Sequence, residues 1–188
     1  MTQTARLVLE DVEYALEKHR DTLQANAFRV SWFAVIGLLR TVGHALDKVD
    51  GETSVPMGRA IQEKYKLLKS TKPEPAIFWE FIEGMRNELL KEYELGVRRT
   101  LTGYNADKSQ VMMIADVGLG RGKTGAEDEA GFTDRDAFVS RIASGTFAGR
   151  SEREVAEEAV IWWKQYLDEI DTLAAKYAPR SSAAKDAY

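Results

Sequence analysis

The sequence predicts an all-α fold: an antiparallel bundle of four core helices and a long C-terminal helix, with an irregular glycine-rich insertion. Apolar residues recur at helical spacing along most of the chain. Only four prolines occur, and three of them lie at expected helix boundaries. The chain has 188 residues, of which 44% are apolar and 30% charged. This composition is typical of a globular domain and excludes fully disordered and fibrous classes.

The first two predicted helices differ in polarity. Over residues 5–24, leucines and valines are interspersed with acidic residues at the spacing of an amphipathic helix. Residues 27–46 are apolar on nearly every side, with Arg29, Arg40 and His44 as interruptions. A helix that is apolar all round is expected at the centre of a bundle. The turn-forming residues that follow end it.

A shorter third helix and a long fourth helix complete the predicted core. Ile61, Tyr65 and Leu68 follow one another at helical spacing. Prolines then break the chain, and the fourth helix is expected over about residues 74–97. Short connections between successive helices favour antiparallel packing.

The chain changes character after the fourth helix. Six of the 14 glycines fall within residues 100–133. This composition predicts an irregular insertion, in which the apolar run 111–117 alone has the character of a short strand.

Two further helices are expected over residues 134–178, packing on the bundle. A helix-start pattern opens the first of them, which is expected to run to about residue 144. Ser151 and Glu154 have the spacing of a capping box, which predicts the start of the long last helix. Residues 179–188 predict a flexible tail.

Two adjacent tryptophans on the last helix favour a second contact surface. Trp162 and Trp163 project about 100° apart on a helix. One bundle core seldom uses both directions, so these residues and the apolar central helix together predict a second contact surface, formed either by the insertion or by another protomer. Of the two, we favour a homodimer.

Several classes of site are excluded by what the sequence lacks. It has no cysteine, which excludes disulfides and thiolate metal sites. Its two histidines, His19 and His44, lack the Glu-x-x-His spacing of di-metal bundles. We therefore expect no metal and no cofactor. The apolar run 30–39 is shorter than the roughly 20 residues of a membrane span, and the N-terminus does not resemble a signal peptide. These features favour a cytoplasmic protein.

The glycine-rich run 117–124 resembles a phosphate-binding loop at first sight. A Walker A loop needs a glycine five residues before its Gly-Lys-Thr, but Val117 stands there. The dinucleotide fingerprint needs a glycine where the chain has Lys123. A basic loop without nucleotide specificity is the better interpretation.

A locally basic stretch coincides with the third helix. Five cations oppose the single acid Glu63, which gives a net charge of +4 in a chain whose own net charge is −4. Such a stretch can hold phosphate groups with salt-dependent strength, or it can be a solvated helix face. The five cations are Arg59, Lys64, Lys66, Lys69 and Lys72.

Arg86 occupies a distinctive position on the fourth helix. On a helical projection it lies at the edge of an apolar arc, about 40° from Ile82. An arginine there can bury its stem and offer its guanidinium to a carboxylate or a phosphate. Alternatively, Arg86 pairs with a neighbouring acid and stabilises the bundle. The arc consists of Phe78, Phe81, Ile82, Met85, Leu89 and Tyr93.

An aromatic-rich helix that leads to Arg86, Asn87 and the basic Lys91 resembles the last core helix of HEPN domains. These are small helical bundles, often homodimers, in toxins, antiviral systems and CRISPR effectors. The apolar helix 28–46 also looks like the early helix of that family. The similarity covers about residues 5–97, so residues 1–99 are expected to form a HEPN-like core.

The resemblance implies RNA or nucleotide binding. In active HEPN members, an arginine and a histidine from two protomers meet at the dimer interface and cleave RNA without metal. Arg86 and Asn87 match that motif, but Lys91 occupies the position of the histidine. The ordinary pKa of a lysine side chain is about 10.4, whereas that of a histidine side chain is about 6.5. Lys91 can therefore hold a phosphate, but it does not readily exchange a proton at neutral pH.

Three functions remain open at the level of sequence. The first is a non-catalytic nucleic-acid-binding, nucleotide-binding or regulatory homodimer in which Arg86, Asn87 and Lys91 line a polar groove. The second is a metal-independent ribonuclease of the toxin or defence type that uses Arg86 with Lys91 or with His44. The third is a helical scaffold for a protein partner, in which Arg86 belongs to a structural ion pair.

Overall fold

The computed structural model describes residues 1–20, 25–92, 95–104, 110–115 and 137–179. Helix dominates these residues, and the predicted helical bundle is confirmed. In chain order the helical elements are α1 (Gln3–Arg20), α2 (Ala25–Lys48), a 3₁₀ turn (Asp50–Glu52), α3 (Val55–Ser70), a π-helical segment (Ile77–Met85) that continues into α4 (Arg86–Glu92), and, after the strands, α5 (Glu152–Tyr177). The strands are β1 (Val97–Tyr104), β2 (Gln110–Ala115) and β3 (Ala137–Ile142).

Serine caps define the starts of α3 and α5. The Ser54 hydroxyl accepts a hydrogen bond from the Met57 N–H at 3.4 Å. The Ser151 hydroxyl accepts one from the Glu154 N–H, also at 3.4 Å. Each cap satisfies a backbone donor that the first helical turn leaves without an intrahelical partner. The predicted capping position at Ser151 is thereby confirmed.

The core is centred on α2, as its all-round apolar character predicts. Trp32 of α2, Phe81 of the π-helical segment and Trp163 of α5 are each at most 2% exposed. Burial of one large apolar side chain contributes about 1.5–3 kcal/mol, so this cluster contributes strongly to the packing of the helices. The buried residues of α2 are Phe28, Trp32, Val35, Ile36, Leu39, Val42, Ala45 and Leu46.

Trp162 and Trp163 both fit within one aromatic cluster. Trp163 is buried, whereas the half-buried Trp162 stacks on Tyr166 with ring centroids 4.9 Å apart. Trp162 also lies 5.1 Å from the ring of Phe78. The inference that adjacent tryptophans require a second surface is wrong, because the edge of the same cluster accommodates Trp162. The homodimer stays a prediction.

Two aspartates from distant parts of the chain hold the start of α1. The buried Asp50 carboxylate accepts hydrogen bonds from the N–H groups of Thr4 and Ala5, both at 2.9 Å. Asp171 of α5 accepts one from the Thr2 N–H at 2.8 Å. Negative charge at a helix N-terminus is stabilising, because the free N–H groups and the helix dipole favour it.

The fourth helix ends earlier than predicted. Instead of running to about residue 97, it is described to Glu92, and Val97 already belongs to β1. Gly96 has a φ of +62°, and a Cβ there would lie 2.5 Å from Met85 Cε. The left-handed φ favours glycine, and the chain turns there and leaves the helical path. The Trp32 indole N–H donates to the Leu95 carbonyl at 3.0 Å and fixes the turn against α2.

Three antiparallel strands follow, in the order β2-β1-β3. At one end of the sheet, Val97 of β1 pairs with Ile142 of β3, and both side chains are 4% exposed. This pair joins the sheet to the hydrophobic core of the bundle.

The sheet corrects two predictions about this region. The helix expected over residues 134–144 is wrong, because residues 137–142 form β3 and pair with β1. The local helix-start signal is overridden by strand pairing, in which Ile142 is buried. The insertion 100–133 is also less irregular than expected, since it contains most of β1 and all of β2. The run predicted as a strand corresponds to β2, while the predicted basic loop 117–124 and most of the tail lie outside the described residues.

Candidate functional site

Arg86 is the first residue of α4, directly after the π-helical segment. Its side chain is half-buried, as its position at the edge of the apolar arc predicts. The guanidinium Nη1 donates a hydrogen bond to Asn87 Oδ1 at 3.0 Å. The structure thus brings together two of the three predicted site residues.

No acidic side chain in the described part of the chain forms an ion pair with Arg86. Arg6 of α1, by contrast, pairs with Asp168 and Asp171 of α5. Among the described residues, the structural ion pair that was the alternative is therefore not observed, and the role of Arg86 stays a prediction.

A second guanidinium lies on the facing helix. Arg40 Nη2 of α2 lies 3.1 Å from Glu83 Oε1 of the π-helical segment, and both side chains are half-buried. Gly43 gives the Arg40 guanidinium its space, since a Cβ at residue 43 would lie 3.1 Å from Arg40 Nη1. The same Cβ would lie 3.2 Å from Trp163 Cη2. Arg40 is thus confined between the aromatic cluster and Glu83.

His44 lies one helical turn after Arg40 on α2, at the surface. Partial burial lowers its pKa below the ordinary value of 6.5, and the positive charges of Arg40 and Arg86 lower it further. Glu83 and Asp47 oppose this effect. The lowered pKa favours the neutral imidazole at pH 7, and the charge of Arg86 on α4 contributes to that direction.

These five residues, Arg40, His44, Glu83, Arg86 and Asn87, are named the polar cluster below. Two guanidinium groups offer planar forks that match phosphate oxygens, and one carboxylate offsets one of the two positive charges. The neutral imidazole can accept a proton. The cluster has the groups that bind a phosphodiester.

The π-helical segment belongs to this site. Its nine residues, Ile77–Met85, precede Arg86 directly and include Glu83. π-Helical turns are rare and are frequent at functional sites. The wider turn changes the angular positions that an α-helical projection assigns, so sequence periodicity could not place Glu83 opposite Arg40.

Lys91 does not join the polar cluster. It is exposed on α4, and five residues of α-helix turn it about 140° away from Arg86. Its role at the site therefore stays a prediction.

Sequence reasoning missed Arg40 and Glu83 as site residues. The signal was present in α2, where Arg40 and His44 interrupt an apolar helix four residues apart and so share a face. The partner of that face on the neighbouring helix could not be read from the sequence.

The second histidine has a structural position. His19 is 4% exposed, and its Nδ1 lies 2.8 Å from Ser31 Oγ. Its Nε2 lies 3.4 Å from Glu152 Oε1. These contacts join α1, α2 and α5 inside the bundle.

The described residues contain no group of three or more His, Cys, Asp or Glu side chains arranged to hold a metal ion. Among the described helices, none combines the length and apolar character needed to cross a bilayer.

Comparisons with known protein families, with curated proteins and with solved structures each found no match to this chain.

Proposed function

We propose that this protein binds RNA through the polar cluster, without cleaving it as its main activity. The observation behind this proposal is the half-buried Arg86 guanidinium, which bonds to Asn87 and forms no ion pair with the described acids. The resemblance of Arg86, Asn87 and the preceding aromatic helix to HEPN domains supports the same function. In this proposal the fork of Arg86 binds a backbone phosphate, and Arg40 adds positive charge.

A metal-independent ribonuclease is the second candidate, and His44 favours it. A neutral imidazole can take the proton from an RNA 2′-hydroxyl, whose oxygen then attacks the neighbouring phosphorus. The bond from phosphorus to the 5′-oxygen breaks, and that oxygen takes a proton from water. The products are a 2′,3′-cyclic phosphate and a 5′-hydroxyl. Arg86 would stabilise the added negative charge on the phosphorane oxygens.

A cytoplasmic homodimer is part of the proposal. Val30 and Phe33 on α2 are 72% and 38% exposed, although α2 is otherwise central to the core. Exposed apolar side chains of this kind suit contact with a second copy of the chain. Sedimentation that shows only monomer at tens of micromolar protein, within the usual micromolar affinity range, would remove the homodimer.

The test of function combines binding and cleavage. Anisotropy of a labelled single-stranded RNA measures binding by the wild type, Arg86→Ala and the control Arg98→Ala, which removes an exposed arginine from β1. We expect Arg86→Ala to weaken binding at unchanged thermal stability, and Arg98→Ala to bind like the wild type. Equal affinity of all three proteins would overturn the proposed site.

Cleavage of the same RNA in EDTA separates the candidates. Binding without cleavage is expected for the first. Robust cleavage that is lost in both Arg86→Ala and His44→Ala would favour the ribonuclease. If the protein neither binds nor cleaves this RNA, the remaining candidate is a scaffold for a protein partner.

A further inference from the structure

The end of α3 and the two residues after it, from Lys64 to Lys72, have charge of a single sign. From Lys64 to Lys72 the chain has four lysines and no acid, although acids outnumber Lys and Arg by 30 to 26 over the whole sequence. Neighbouring like charges on a helix are destabilising. Such a stretch is therefore expected where a binding partner supplies the opposite charge.

Three of these lysines are available to a ligand. Lys64 forms an ion pair with Glu169 of α5. Lys66, Lys69 and Lys72 are exposed, and within the described ranges none of them forms an ion pair with a carboxylate. The charges of these three lysines are thus not neutralised by the described acids.

Aromatic rings alternate with these lysines. Lys69 Nζ lies 4.6 Å from the ring centroid of Tyr65, which is 41% exposed. Lys72 Nζ lies 4.8 Å from the ring of the half-buried Trp79. Surfaces that bind single-stranded nucleic acid combine these two features, because cations follow the phosphates while aromatic rings stack on bases.

The π-helical segment connects these rings and lysines with the polar cluster. Trp79 and Glu83 are four residues apart on the same π-helical segment, so about one helical turn separates them. Glu83 in turn contacts Arg40. A strand of RNA that leaves the polar cluster along this segment would reach Trp79 and then Lys72.

We propose that Tyr65, Lys66, Lys69, Lys72 and Trp79 form a binding strip for single-stranded RNA that extends the polar cluster. The lysines hold backbone phosphates, and Tyr65 and Trp79 stack on bases. This inference rests on the proposed RNA-binding function. The favourable interaction of a cation with a helix C-terminus explains Lys69, in the last turn of α3, but not the other two lysines.

The chain offers a matched control for the strip. On α1, Lys18 Nζ lies 5.1 Å from the Tyr14 ring, with the same four-residue spacing as Lys69 and Tyr65. Lys18→Glu therefore makes the same charge change and disturbs the same kind of cation–ring contact as Lys69→Glu. Tyr14→Leu is the equivalent control for Tyr65→Leu.

The experiment measures the affinity of the full chain for labelled single-stranded RNAs of about 4 and about 16 nucleotides, a range of site sizes known for single-strand binders. For the longer RNA, the slope d log K/d log[salt] is negative, and we expect Lys69→Glu and Lys72→Glu each to reduce its magnitude by about 0.7. We expect Tyr65→Leu to weaken binding by about fivefold, the effect of one lost stacking contact. Binding of the shorter RNA should change little, and both controls should match the wild type.

The outcomes separate this inference from the proposed function. If the strip variants bind the longer RNA as tightly as the controls Lys18→Glu and Tyr14→Leu do, the strip is overturned. If only Arg86→Ala then loses binding, the polar cluster remains the site. Weakened binding in the strip variants with unchanged binding in Arg86→Ala supports the strip and overturns the polar cluster. A wild type that binds neither RNA overturns both.

Discussion

Arg40 Nη2 lies 3.1 Å from Glu83 Oε1, across the contact between α2 and the π-helical segment. Three residues after Glu83, Arg86 bonds instead to the neutral Asn87. One carboxylate therefore offsets one of two guanidinium groups, and the polar cluster keeps a positive charge. That positive charge is what attraction of a phosphate requires.

Removal of the Glu83 charge should strengthen RNA binding. In Glu83→Gln, Arg40 loses its carboxylate partner and becomes available to a phosphate. We expect affinity to rise about two- to fivefold, the range of a single partly exposed charge interaction. Glu80→Gln is the matched control, since Glu80 is exposed on the same segment and accepts a hydrogen bond from the Thr146 N–H. Equal changes in the two variants would contradict a specific role for Glu83.

The titration of His44 should respond to its neighbours with opposite signs. Arg86→Ala removes a positive charge that lowers the His44 pKa, so the pKa should rise. Glu83→Gln removes a negative charge that raises it, so the pKa should fall. NMR of the imidazole ring protons measures both shifts, and the sequence has only two histidines to assign. If the His44 pKa is unchanged in Arg86→Ala, Arg86 does not act on His44 and the polar cluster is contradicted.

The lowered pKa of His44 also sets a pH dependence of folding. The folded state binds the proton more weakly than the unfolded chain, whose pKa is about 6.5. The free energy of unfolding should therefore decline as the pH falls from above 6.5 through the folded pKa. His44→Asn should remove this component, as urea unfolding at several pH values can measure. An identical pH profile for the variant would contradict the assignment.

Replacement of two positive-φ glycines by alanine should lower the free energy of unfolding by unequal amounts. Gly96 and Gly145 have φ values of +62° and +78°, and a Cβ in that region costs about 1–2 kcal/mol. At Gly96 the Cβ would also meet Met85 Cε at 2.5 Å, whereas at Gly145 it meets no atom within 4 Å. Gly96→Ala should therefore destabilise the protein more than Gly145→Ala, by up to about 1 kcal/mol, because the end of the Met85 side chain has to move. Equal unfolding free energies would contradict the tight corner after α4.

The Asp50 carboxylate should be essential for the start of α1. Its two buried hydrogen bonds to Thr4 and Ala5 predict a loss of about 1.5–3 kcal/mol or more in Asp50→Ala. Asp47→Ala is the control, because Asp47 is exposed and pairs only with the adjacent Lys48 among the described residues. Its effect should stay within about 0.5 kcal/mol. Chemical denaturation of both variants tests the difference.

The helices could be predicted because their signals are local. The apolar spacing of α1 to α3 and the cap at Ser151 depend only on residues close together in the sequence, and the structure has helices there. The strand β3 could not be predicted in this way, since its state depends on pairing with β1. The end of the fourth helix was missed for a similar reason, because the turn at Leu95 and Gly96 is held by a hydrogen bond from the distant Trp32.

The candidate site was predictable only in part. The edge position of Arg86 on its helix and its neighbour Asn87 followed from the sequence. The pairing of Arg40 with Glu83 did not, because it depends on how α2 packs against a π-helical segment that α-helical periodicity does not describe. Lys91 was assigned from its distance along the chain in a family motif, whereas the helix turns it away from Arg86.

The most direct test of the central claim is the pKa of His44 with and without bound RNA. A 2′-O-methylated single-stranded RNA removes the hydroxyl needed for cleavage, and anisotropy establishes saturation. A phosphate held by Arg86 adds negative charge beside His44, so RNA should raise the His44 pKa in the wild type and much less in Arg86→Ala. A His44 pKa that stays the same while RNA is bound would contradict the polar cluster as the RNA-binding site.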